Sequence, residues 1–157
     1  EFPKDYSIEM TQIVLPQHAN MLGTIFGGTM MGWIDIAAAA AAFRHCRGTA
    51  VTASMDSLDF LAPVKIGHLV TLMASVNYTS KTSMEVGVKA VSEDPITRIS
   101  THTASAYLIF VAIDKEGSPI PVPQIVPETE DQKRRWGQAL ERRKIRLARR
   151  ANREAKR

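Results

Sequence analysis

Residues 18–47, HANMLGTIFGGTMMGWIDIAAAAAAFRHCR, constrain this chain more than any other part of it. Beyond the Gly27-Gly28 pair the run holds no proline, and its only charge before Arg44 is Asp35. Six consecutive alanines, Ala37 to Ala42, combine top helix propensity with minimal side-chain bulk, so neighbouring backbone can approach closely. The run reads as one helix closing near Arg44-His45-Cys46-Arg47, where cations suit the negative end of the dipole, and stopped by Gly48. A helix apolar on nearly every face has to be wrapped by something. Asp35 then lies inside the wrapping, where an ionised carboxylate is tolerated only when paired, hydrogen-bonded or shifted in pKa.

At 157 residues the chain has room for one core and an appendage. No uninterrupted apolar run reaches membrane-spanning length, so a soluble protein is expected. Cys46 is the only cysteine, which rules out an internal disulfide, and the opening EFPKDYSIEM lacks the order of a signal peptide. A reducing, cytoplasmic setting follows as the expectation.

Around the helix the pattern is one of strands. Ser7 to Leu15 alternates and ends at Pro16; Ala50 to Phe60 is β-branched at its start; Leu69 to Tyr78 is a second long strand. A polar turn, Thr79 to Ser83, leads into the alternation of Met84, Val86, Val88 and Ala90, and Arg98 to Ile113 is the longest strand. The order of strand, long helix and about four antiparallel strands indicates an α+β fold with the sheet curled around the helix.

The net charge of +4 belongs to the tail. Residues 1–127 hold 8 Lys and Arg against 11 Asp and Glu, whereas residues 128–157 hold 12 against 5. A mildly acidic body gives no support to a nucleic-acid groove, so any polyanion binding would be a property of the appendage. The proline-rich connector from Pro119 to Pro127 leads to Thr129 and Gln132, a capping-box signature that starts a basic helix. Trp136, Leu140, Leu147 and Ala151 share an approximate face of it with Arg and Lys around them, a pattern that fits a helix lying along the body or one extending into solvent; its charge is local, and it is expected to be dispensable for chemistry.

The segments HAN…GTIFGG…WID, VTASMDSLDF, TSKTSMEV and PVPQIVPETEDQKRRW resemble the hotdog-fold acyl-CoA thioesterases, and the likeness runs from about Ser7 to Trp136. It is greatest to the bacterial cytosolic acyl-CoA hydrolases and to the repeated domains of the mammalian brain-type cytosolic hydrolase. The resemblance implies a long helix wrapped by an antiparallel sheet over residues 1–127, with residues 128–157 as the tail. It also implies a homodimer with a continuous sheet and shared active sites, often a trimer of dimers. It implies hydrolysis of medium- to long-chain fatty acyl-CoA, with coenzyme A present only as part of substrate and product. The family's catalytic asparagine and aspartate correspond to Asn20 and Asp35.

Thioester hydrolysis needs hydrogen-bond donors at the carbonyl, a nucleophile or base, and a slot for the acyl chain. Gly27 and Gly28 offer backbone N–H groups at a helix start, though a close-packed turn would use the same residues. Asp35 either attacks directly or activates water, and desolvation makes an ionised carboxylate a stronger base. Asn20 either caps its loop or holds water or the carbonyl. Lys81 and Ser83, beside Ser80 and Thr82, are candidates for the coenzyme A phosphates, and Thr52 to Ser54 for a strand edge beside pantetheine. His18, His45, His68 and His102 show no metal-ligand spacing, so no metal is expected. Two rival readings are a non-catalytic module for acyl-CoA or polyanions, and a dehydratase, which would need an Asp/His pair missing from the helix region.

Overall fold

The structure, a computed structural model, describes residues 8–157. The elements are β1 (Ile8–Ile13), a 3-10 turn (Pro16–His18), α1 (Gly27–Cys46), β2 (Thr49–Phe60), β3 (Leu69–Thr79), β4 (Ser83–Glu93), β5 (Ser100–Ile113) and α2 (Glu130–Ala155). The five strands form one antiparallel sheet in the order β1-β3-β4-β5-β2. The expected α+β hotdog arrangement is therefore the one observed. Ser7, the expected start of the first strand, lies outside the described residues.

The sheet's inner face is apolar and its small residues let α1 sit close. Val70, Leu72 and Ala74 of β3, Met84, Val86 and Val88 of β4, and Ala104, Ala106 and Leu108 of β5 are all buried. Against them α1 buries Met30, Trp33, Ile34, Ala37, Ala38, Ala41 and Ala42, the 3-4 spacing of a single helical face. The sheet wraps the helix on this side, but the expected burial of Asp35 inside the wrapping is corrected here. Met31, Ile36 and Phe43 on the remaining faces are exposed, and Asp35 is only half-buried. One sheet covers one face, so the rest of this apolar helix has no cover within the described chain.

The tail helix is docked on the body, one of the two placements its sequence left open. Thr129 and Gln132 form the expected capping box. From there α2 lies on the outer face of the sheet: the Trp136 ring meets Tyr78 of β3 at 4.5 Å between centroids. Arg142 pairs with Glu85 of β4 at 2.6 Å and lies 3.6 Å above the Tyr107 ring of β5, and Arg146 pairs with Asp56 of β2. Those strands are consecutive in the sheet, three spacings of ~4.8 Å. The ten residues from Trp136 to Arg146 rise ~15 Å. α2 thus strides across four strands at a steep angle, one contact after another. Its docking face is Trp136, Ala139, Arg142 and Arg146, while Leu147 and Ala151 of the anticipated face are exposed.

Candidate active site

The loop before α1 is built around Asn20. Its side-chain oxygen accepts the Leu22 N–H at 2.9 Å and the Thr24 N–H at 3.3 Å, and its amide donates to Thr24 Oγ1 at 3.0 Å. Gly23 takes a positive φ of 75°, which closes the loop tightly. The loop-capping role is therefore present. The residue is also exposed, leaving its amide within reach of a ligand. His18 braces the same loop by accepting the Leu15 N–H at 3.1 Å and by meeting the Trp33 ring edge-on.

The loop delivers the chain to the helix start. Phe26, the N-cap, has extended backbone and offers no side-chain acceptor to the first turn. The Gly27 and Gly28 N–H groups meet no acceptor among the described residues, so two donors point out of the positive end of the helix dipole. A Cβ on Gly28 would lie 2.6 Å from Cε1 of the Phe26 ring, whereas one on Gly27 would meet only Phe60, at 3.7 Å. The Phe26 ring thus lies over Gly28, but it is an exposed side chain with room to turn aside, so Gly28 stands out chiefly as a donor.

Asp35 is two turns along. The Thr52 hydroxyl of β2 donates to its Oδ1 at 2.8 Å, leaving Oδ2 open. Gly28 and Asp35 are seven residues apart, so they share a helix face but are separated by ~10 Å along the axis. Around this strip the surface is apolar: Met21, Leu22, Phe26, Met31, Phe60 and Leu61 are all exposed. Such a patch on a single chain marks a surface that something covers.

The structure therefore brings Thr52 to Asp35, a link that no residue spacing announced. Ser54 follows on the same strand, half-buried. Lys81 and Ser83 lie elsewhere: Ser83 hydrogen-bonds Ser80, the Lys81 carbonyl accepts from Val122, and the neighbouring Pro123 carbonyl meets His45 at 2.7 Å. That is the opposite end of α1, ~27 Å from Gly27 by helical rise, and within one chain the two groups do not meet. A cavity of about 260 Å³ bordered by Ala41, His45 and Asn77 also belongs to that far end. His68 approaches Asp94 at 3.9 Å and His102 meets Ser105 at 2.7 Å, so the histidines have protein partners.

The Thioesterase superfamily profile matches residues 22–99. The Bacillus subtilis protein named uncharacterized acyl-CoA thioester hydrolase YkhA is 44% identical over 131 residues, covering 83% of this chain and 76% of that protein. An apo-hexameric acyl-CoA thioesterase superposes with a TM-score of 0.88 at 42% identity, over 92% of each chain. The acyl-CoA hydrolase of Staphylococcus aureus, solved with butyryl coenzyme A, coenzyme A and coenzyme A disulfide, gives 0.87 at 39% identity, over 95% of this chain and 91% of that one. The Staphylococcus aureus hydrolase has also been solved as three separate single variants, with alanine replacing an asparagine, an aspartate 15 residues later, or a threonine 17 residues after that. Asn20, Asp35 and Thr52 have the same two spacings.

Proposed function

The chain belongs to the acyl-CoA thioester hydrolases of the Thioesterase superfamily, and on that premise we propose how its residues share the reaction. It hydrolyses an acyl-CoA thioester to a free acid and coenzyme A. The observation that carries the assignment of roles is the pair of unpartnered N–H groups at Gly27 and Gly28, on the same helix face as a carboxylate with one open oxygen.

The thioester carbonyl oxygen accepts from the Gly27 and Gly28 N–H groups, which stabilise the negative charge that develops on it. Asp35 takes a proton from water, the water oxygen bonds to the carbonyl carbon, and the carbon–sulfur bond then breaks. The coenzyme A thiolate leaves and the proton returns to it. The Asn20 amide holds the attacking water. No cofactor enters, and coenzyme A takes part only as substrate and product. The shared spacing with the residues replaced in the Staphylococcus aureus hydrolase supports Asn20, Asp35 and Thr52 as site residues. Lys81 and Ser83 are proposed for the phosphates of coenzyme A bound by another subunit, because they are remote from Asp35 of their own.

A separation of ~10 Å keeps Gly28 and Asp35 of one helix from serving one carbonyl. The site is therefore completed across a two-fold homodimer, Asn20 and the glycine turn of one subunit facing Asp35 of the partner subunit. The uncovered apolar strip of α1 and the β2 edge, which pairs only with β5 in the described chain, support that assembly. The hexameric relative supports a trimer of dimers. The exposed Met21, Leu22, Phe26 and Phe60 supply a lipophilic slot for a medium- to long-chain acyl group. No helix among the described residues is long and apolar enough to cross a membrane. A cytoplasmic location is proposed from the solitary cysteine, and residues 1–127 are proposed as the catalytic domain with 128–157 docked on it.

Release of free thiol from acetyl-, octanoyl- and palmitoyl-CoA tests the reading. Turnover is expected to favour the two longer esters. Binding of all three without thiol release would instead make this a non-catalytic acyl-CoA module.

A further inference from the structure

We propose that Asp56 and Arg146 are a positioning pair: α2 reaches across the outer face of the sheet and, through this ion pair, fixes where Thr52 meets Asp35. The proposal rests on the role given to Asp35 above.

The reason lies in the irregularity of β2. Thr52 is opposite Phe110 and Ser54 opposite Ile109, so Ala53 is an extra residue; Met55 is opposite Leu108 and Ser57 opposite Tyr107, so Asp56 is another. Two bulges within five residues leave this stretch with an interrupted ladder and a bent backbone. Its backbone hydrogen bonds therefore hold residues 52–57 less firmly than those of a regular strand. Two side-chain ties make up the difference. On the inner face the Thr52 hydroxyl reaches Asp35, and on the outer face the Asp56 carboxylate reaches Arg146.

The outer tie has a firm anchor. The Asp56 and Arg146 side chains are 16% and 22% exposed, so salt screens them less than an open surface pair. One helical turn earlier Arg142 grips Glu85, whose side chain is 1% exposed, and stacks on Tyr107. The helix therefore cannot slide at Arg146 without breaking the Arg142 contacts. Asp56 is four residues from Thr52, and a displacement of ~1 Å at a catalytic carboxylate is enough to cost on the order of 100-fold in rate. Neither Asp56 nor Arg146 touches the reacting atoms.

The test compares kcat and KM in two backgrounds. Arg146→Ala and the milder Asp56→Asn are expected to lower kcat about tenfold with KM little changed, since alignment rather than binding is lost. Arg146→Lys keeps a cation for Asp56 and should retain most activity. In a Thr52→Ala background Arg146→Ala should have no further effect on kcat, because the link it acts through is already gone. Deleting the exposed residues after Arg150 should leave kcat unchanged. The proposal is overturned if folded, assembled Arg146→Ala and Asp56→Asn proteins turn over normally, or if Arg146→Ala costs the same factor in both backgrounds. Should Asp35→Asn prove active, the site itself is misassigned; should it be inactive while Arg146→Ala is normal, only the positioning role falls.

Discussion

The Thr52 hydroxyl donates to Asp35 Oδ1 at 2.8 Å, tying the second strand to the middle of the central helix. The bond engages one carboxylate oxygen and leaves the other open, and in the reaction proposed above that open oxygen is the one that meets water. Asp35→Asn keeps the volume and one acceptor but removes the charge and the basicity. It is expected to lower turnover by ~10³-fold while fold and coenzyme A affinity stay close to wild type. In a single turnover in ¹⁸O-labelled water, the label should enter the acid product and not Asp35. Label in Asp35 would show that the carboxylate attacks directly.

Gly27 allows a donor to be removed with little else disturbed. It is the first residue of α1, where proline is tolerated, and Phe26 before it has φ −67° and ψ 134°, the extended backbone that precedes proline. A side chain there meets Phe60 at an ordinary contact distance of 3.7 Å. Gly27→Pro should therefore fold normally and lose ~10²-fold in kcat, the scale for one oxyanion donor. An unchanged kcat would take Gly27 out of the oxyanion site.

Much of this was legible in the sequence because local rules and tertiary demands agree. The alanine run gave α1, alternation gave four of the strands, and Thr129 with Gln132 gave the start of α2. The sequence left the outcome open where the decisive contact is polar and distant. The docking of α2 depends on Arg142 and Arg146 meeting Glu85 and Asp56, 57 and 90 residues away, and a cation that docks looks like a cation that is solvated. Of the apolar stripe Trp136, Leu140, Leu147 and Ala151, Trp136 meets Tyr78 on the sheet while Leu147 and Ala151 are exposed. The Thr52–Asp35 bond escaped for a similar reason, since a threonine in a strand carries no mark of what it faces. The appendage is accordingly not a neutral addition: cutting after Pro127 would uncover Tyr78, Glu85 and Tyr107.

Arg142 provides a direct measure of that docking. Its guanidinium donates to both oxygens of Glu85, a carboxylate under the helix with almost no access to water. Arg142→Ala leaves that charge without its partner and is expected to destabilise the protein by ~3–5 kcal/mol. Glu85→Leu with Arg142→Met removes both charges and should cost much less. Denaturant melts of the three proteins check this. Equal losses for the single and double variants would mean that packing, not the buried charge, dominates.

The central claim is that one active site draws on two subunits, and reassembly of two inactive proteins tests it most directly. Asn20→Ala and Asp35→Ala proteins are each expected to be inactive. Mixed, unfolded and refolded together, they form some dimers that pair one of each. Such a dimer holds one site damaged twice and one site with both residues intact. Under random two-fold pairing, activity should return to about a quarter of the wild-type value. Native mass spectrometry establishes whether the mixed dimers are present. If they are present and no thiol is released from acyl-CoA, Asn20 and Asp35 act within one chain and the shared site is wrong.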